Sequence, residues 1–173
     1  MAFDLSMPVL VVDDHDAAIR IVRTLLRQLG FVNVDDANNV AEALTKMRVK
    51  RYGLVISDWH TEPMTGCDFL REVRGDPALN RTSVIMTGES KSENVIAAKK
   101  AGVNSYIVKP FNAQTLKAKI ELTFATRTAP LPEQHQAVAA SRSSQFSEAE
   151  VSVATPISVA ARQKFGGRIT GSL

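Results

Sequence analysis

The sequence predicts an α/β fold, a doubly wound (βα)5 parallel sheet, followed by a tail without a core of its own. Three observations carry that reading. Short apolar runs alternate with helical patterns five times between residues 1 and 124. The runs are continuously apolar, as parallel strands covered on both faces are, and do not alternate with polar residues. From residue 125 the composition turns to Ala, Ser and Thr with few large apolar side chains. Such a segment buries too little surface to offset the entropy of ordering.

The elements follow in order. Strand one is read at residues 9–13 and stops at an acidic pair. Helix one is read at 17–29, where Ile19, Val22, Leu26 and Leu29 recur at helical spacing, and Gly30 supplies the stop. Strand two is read at 32–36. Helix two, at 40–50, has Val40, Ala43, Leu44 and Met47 as its apolar stripe and Asn39 as its N-cap. Strand three is read at 54–58, and Phe69, Leu70 and Val73 mark a third helix that ends before Gly75-Asp76-Pro77. Strand four is read at 83–87 and helix four at 92–101, closed by Gly102. Strand five, at 105–108, leads into helix five at 112–124, with Leu116, Ile120 and Phe124 on one face. Short connections between parallel strands imply right-handed crossovers, and strand order 2-1-3-4-5 is one arrangement that satisfies them. The chain is thus read as one domain at 1–124 and a low-complexity, mostly disordered tail at 125–173. Within the tail, residues 156–165 place Ile157, Ala161 and Phe165 on one side of a short helix that needs a partner surface to form.

Composition narrows the function. The 21 basic and 18 acidic residues are spread along the chain, a net charge of +3 without the concentrated basic face of a nucleic-acid binder. No apolar run is long enough to span a bilayer, and the N-terminus has no basic segment followed by a long apolar stretch. The single cysteine, Cys67, forms no intrachain disulfide and suits a reducing, cytoplasmic setting.

In a doubly wound sheet, ligands bind at the carboxyl ends of the strands. Here strand one ends in Asp13-Asp14, strand three in Asp58, strand four in Thr87 and strand five in Lys109-Pro110. Three carboxylates brought to one edge repel, and a divalent cation relieves this; an all-oxygen set suits Mg²⁺. Asp58 is then the nucleophile towards a phosphoryl donor, giving an acyl phosphate. Asp13 and Asp14 hold the Mg²⁺, Lys109 sets a positive charge on the phosphoryl group, and the Thr87 hydroxyl donates to a phosphoryl oxygen. Each residue alone is uninformative: an Asp-Asp pair after a strand is ordinarily a turn, and Asp58, Thr87 or Lys109 alone is an ordinary strand end. Their co-occurrence at the matching ends of separate strands decides for chemistry.

At these residues the chain resembles a known family. VLVVDDH, VISDWHTEPMTG, VIMTGES and SYIVKPF are similar to the signature segments of response-regulator receiver domains. Trp59 after the acceptor and the segment ENVIAAKKAGVNSYIVKPF bring it nearest to the CheY-like, chemotaxis-type single-domain regulators, and the likeness covers about residues 7–124. The resemblance implies the flavodoxin- and CheY-like order 2-1-3-4-5 and a metal shell completed by the His60 backbone carbonyl. It also implies a cis Lys109-Pro110 bond, and a switch in which Thr87 moves inward on phosphorylation and Tyr106 rotates inward after it. The family often carries Met-Pro three and four residues after the acceptor. Here Thr61 and Glu62 stand there, with the proline at Pro63, and His60 occupies a position that tunes dephosphorylation in the family.

The function expected is a phosphorylation switch fed by a histidine kinase or phosphotransfer protein. Its output is a phosphorylation-dependent protein target, with the flagellar motor switch as first choice and no DNA or membrane insertion. Autodephosphorylation at Asp58 is expected with it. The alternatives are a phosphorelay intermediate or phosphate sink, and an adaptor whose tail binds the effector. Other residues are read plainly: Cys67 packs at the start of helix three, His15 is a surface residue at the first turn, and Trp59 is a partly exposed neighbour of the site. Lys99, Lys100, Lys117 and Lys119 lie on solvated helical faces.

Overall fold

All five apolar runs form strands and all five helical patterns form helices: β1 (Val9–Val12), α1 (Asp16–Gln28), β2 (Val34–Ala37), α2 (Val40–Val49), β3 (Leu54–Asp58), α3 (Gly66–Gly75), β4 (Ser83–Gly88), α4 (Ser92–Lys100), β5 (Ser105–Val108) and α5 (Ala113–Thr128). The structure is a computed structural model and describes residues 3–128. The strands pair only in parallel, in the order β2-β1-β3-β4-β5. The tail expected to be disordered, and its short helix at 156–165, lie outside the described residues, except that α5 continues through residues 125–128.

Strand side chains alternate faces, so each run feeds two cores. Val9 and Val11 of β1, Leu54 and Ile56 of β3, and Ile85 of β4 pack against Ile19, Val22 and Leu26 of α1 and Leu116 and Ile120 of α5. The intervening residues Leu10, Val12, Val55, Val84 and Met86 pack on the other face with Val40, Leu44 and Met47 of α2 and Phe69, Leu70 and Val73 of α3. Both faces being apolar is why the runs do not alternate with polar residues.

The helix ends explain where expectation and structure differ. Asn39 caps α2 as expected, its side chain accepting from the Glu42 N–H at 2.8 Å. Gly30 sits at φ 96°, and α1 closes through Gly30 N–H to Arg27 O and Phe31 N–H to Leu26 O, both 3.0 Å. That closure spends residue 31 on the turn and buries the Phe31 ring, leaving Val32 76% exposed, so β2 starts at Val34 and not at residue 32. α3 starts at Gly66 because Thr65 and Asp68 form a reciprocal capping box.

Candidate functional site

Register brings the chemistry together. Val12 pairs with Ser57 and Asp58 with Thr87, so Asp13, Asp58 and Thr87 come to the carboxyl edge of adjacent strands. Lys109 follows β5 there, its N–H bonded to Gly88 O at 2.9 Å. Lys109-Pro110 is cis, as the resemblance implied, and Glu62-Pro63 is cis as well.

Asp58 is buried. Its Oδ1 lies 2.8 Å from Lys109 Nζ and accepts from Thr87 Oγ1 at 3.3 Å, and its Oδ2 accepts from the His60 N–H at 3.0 Å. Lys109 Nζ also reaches Asp13 Oδ2 at 3.4 Å, so one ammonium bridges the two buried carboxylates. Burial alone pulls the Lys109 ammonium down, but the bond and charge of Asp58, then those of Asp13, outweigh it and hold its pKa above the ordinary value. Asp13 Oδ1 accepts from the His15 N–H at 2.9 Å, which fixes the turn into α1.

Two site neighbours stand differently from expectation. Trp59 was expected to be partly exposed; it is buried, with its N–H bonded to Thr87 O at 2.8 Å and its ring edge-on to Tyr106 at 6.4 Å. The Tyr106 ring is itself buried, its hydroxyl donating to Glu89 O at 3.1 Å. Burial first, then the charges of Asp58 and Glu89, push that phenol up. A switch at Tyr106 therefore starts from an inward ring. His60 and Glu62 are exposed, whereas Thr61 is buried and donates to Met64 O at 2.8 Å.

One participant escapes sequence reasoning. The His15 ring is exposed, as expected, but turns back to within 2.6 Å of Asp14 Oδ1 and 3.3 Å of Asp13 Oδ1. The charge of Asp14 and then the bonds to both carboxylates raise its pKa. No spacing signal announces this; it follows from the turn fixed by Asp13. Asp13, Asp14 and His15 offer ligand atoms within 4.8 Å of one another, a trio that does not include Asp58. The site residues fit a divalent cation by the chemistry of the donor set, since the carboxylates of Asp13 and Asp14 offer hard oxygens set close together.

Known proteins resemble this chain in sequence and fold. The model of the response regulator receiver domain matches residues 9–121. The chain is 44% identical over 119 residues to the chemotaxis protein CheY of Pseudomonas aeruginosa, covering 68% of this chain and 96% of that protein. It is 43% identical over 120 residues to the chemotaxis protein CheY-3 of Vibrio cholerae, covering 69% and 92%. Among solved structures, the chemotaxis response regulator CheY4 of Vibrio cholerae superposes with a TM-score of 0.63 at 31% identity, over 68% of this chain and 98% of that one.

Proposed function

This chain belongs to the response regulator receiver domain family, and from that premise we propose that Asp58 is its phosphoacceptor and that the phosphorylated form switches a chemotaxis or motility target. The observation that carries the proposal is the Asp58 carboxylate, buried at the end of β3 with Lys109 Nζ at 2.8 Å and Thr87 Oγ1 at 3.3 Å. A buried carboxylate paired with a lysine, beside a hydroxyl donor, is poised for attack and for holding the product.

Asp58 attacks the phosphorus of a phosphohistidine, forming an O–P bond as the P–N bond breaks and the imidazole leaves. Asp13, Asp14, Asp58 and the His60 carbonyl would hold Mg²⁺, which when bound would neutralise the oxygens of the transferring group. Lys109, bridging Asp13 and Asp58, moves its charge onto the phosphoryl oxygens. Thr87 turns its hydroxyl from Asp58 Oδ1 to a phosphoryl oxygen, and this small displacement biases Tyr106 and the surface of α4, β5 and α5 where a target docks. Water then returns Asp58 to the carboxylate, at a rate set by the exposed His60 and Glu62 beside it. The donor is a histidine kinase or phosphotransfer protein of the cytoplasm and the target is the flagellar motor switch. No described helix is long and apolar enough to cross a membrane.

The test is intact-mass measurement after incubation with acetyl phosphate and Mg²⁺. The wild type gains one phosphoryl group and Asp58→Asn gains none; uptake by Asp58→Asn removes the assignment. Protein locked with beryllofluoride and Mg²⁺ should then enrich a motor-switch component from cell extract. Enrichment of phosphotransfer proteins by the unphosphorylated form would make the chain a relay component or sink instead.

A further inference from the structure

We propose that Gly88 biases the Tyr106 switch toward its inward position, so that this receiver rests with part of the phosphorylated conformation already formed. The inference rests on the reading that Asp58 is the phosphoacceptor, and it concerns where the switch behind it rests.

Gly88 closes β4, one residue past Thr87, and stands opposite Val108 of β5. Its backbone is not left-handed, since among the described residues the glycines at positive φ are Gly30 and Gly102. A strand glycine that its backbone does not require marks a close approach. What approaches is the end of the Tyr106 ring. A Cβ on Gly88 would overlap the Tyr106 hydroxyl, and would stand 3.3 Å from Tyr106 Cζ and 3.1 Å from Trp59 Cβ. The phenol therefore lies in the space that a side chain at position 88 would fill.

Two further contacts fix the ring there. Its hydroxyl donates to Glu89 O at 3.1 Å, and its ring meets Trp59 edge-on, with centroids 6.4 Å apart. The Trp59 backbone has little room to yield, because its N–H is bonded to Thr87 O at 2.8 Å and its O accepts from Gly66 N–H at 3.0 Å. A methyl at position 88 would thus be relieved by the tyrosine, which turns about χ1 to another staggered position, outward. None of these contacts involves the Asp58 carboxylate. The ring lies inward while the Thr87 hydroxyl still donates to Asp58 Oδ1 at 3.3 Å.

Phosphorylation shifts a two-state switch only by its differential effect on the two positions. With glycine at position 88 the inward position is open from the start, and phosphorylation adds to a bias already present. The phenol also holds the Glu89 carbonyl, the first residue of the link to α4, so the target face is set along with the ring. The chain thus has a raised basal output and a smaller further gain on phosphorylation.

The experiment is NMR of the full chain with ¹⁵N throughout and ¹³C in its two tyrosines, Tyr52 and Tyr106; Tyr106→Phe identifies the signal. Through-space contact between the Tyr106 and Trp59 rings should be present in the wild type both with and without beryllofluoride and Mg²⁺. Gly88→Ala should lose that contact without beryllofluoride and shift the Tyr106 signal, while an unmoved Tyr52 signal reports an intact fold. Contact that appears in the wild type only with beryllofluoride overturns the proposal, and this needs no variant. A folded Gly88→Ala that keeps the contact overturns the role of Gly88. A Thr87 amide signal unmoved by beryllofluoride and Mg²⁺ would instead sink the acceptor reading, whatever the position of the ring.

Discussion

Two glycines of α3 should respond to the same substitution with opposite signs. A Cβ on Gly66 would stand 3.0 Å from Trp59 Cα and 3.1 Å from Met86 Sδ, and closer still to the Asp58 carbonyl oxygen. Two of these three atoms are backbone at the end of β3, and that backbone is held: Trp59 N–H bonds Thr87 O at 2.8 Å, and Gly66 N–H bonds Trp59 O at 3.0 Å. Overpacking against atoms that cannot retreat costs about 1–3 kcal/mol. Alanine recovers at most about 1 kcal/mol of helix propensity, so Gly66→Ala is a net loss of up to about 2 kcal/mol. A Cβ on Gly75 meets nothing within 4 Å, and its φ is not left-handed, so Gly75→Ala gains up to about 1 kcal/mol by restricting the unfolded chain.

Urea unfolding followed by Trp59 emission measures both. With a slope of about 2 kcal/mol per molar urea, the Gly66→Ala midpoint falls by up to about 1 M while that of Gly75→Ala rises. Because the clash falls on the carbonyl of Asp58, Gly66→Ala should also take phosphate from acetyl phosphate more slowly than Gly75→Ala does. A Gly66→Ala midpoint at or above that of the wild type would refute the close approach of α3 to β3.

Three further outcomes follow from contacts away from that crossing. Asp35 is held below the usual carboxylate range, by the Lys50 bond first and the Tyr52 bond next, with burial opposing. A depressed folded pKa gives stability that is present above the unfolded value of about 3.9 and is lost as pH falls through the folded one; Asp35→Asn should therefore flatten the loss of urea midpoint below about pH 4, and an unchanged acid limb refutes this. Phe3 stacks on Phe31 at 5.7 Å and tilts against Phe124 at 5.8 Å, so at about 0.5–1.5 kcal/mol per pair Phe3→Ala should lower stability by about 1–3 kcal/mol in thermal unfolding, and Phe3→Leu by less. Thr61→Met combined with Glu62→Pro removes the Thr61 bond to Met64 O beside the His60 amide that touches Asp58; phosphate release from Asp58 should change in rate without loss of phosphorylation, and equal decay rates would count against it.

What the sequence discloses and what it withholds divide along physical lines. Strand ends are legible because a parallel sheet sends its carboxyl termini to one edge, so Asp13, Asp58, Thr87 and Lys109 could be grouped before any contact was known. The start of α3 carries a signal too, Thr65 followed three places later by Asp68, although the helix was read from its apolar stripe alone. Val32 was misplaced for a different reason. Its apolar side chain fits a strand, but the six-residue closure of α1 onto Leu26 consumes the chain up to Phe31, and pairing with Val9 begins only at Val34. Closure of this kind is a competition between the helix end and the sheet, and residue type does not report which wins. Trp59 and His15 lie beyond pattern altogether. Whether Trp59 is buried depends on Tyr106, 47 positions away in sequence, and whether the His15 ring meets Asp14 depends on one backbone bond to Asp13. Alternation and spacing thus locate the backbone that carries a site, while the side chains that tune it are set by contacts distant in sequence or by single dihedral choices.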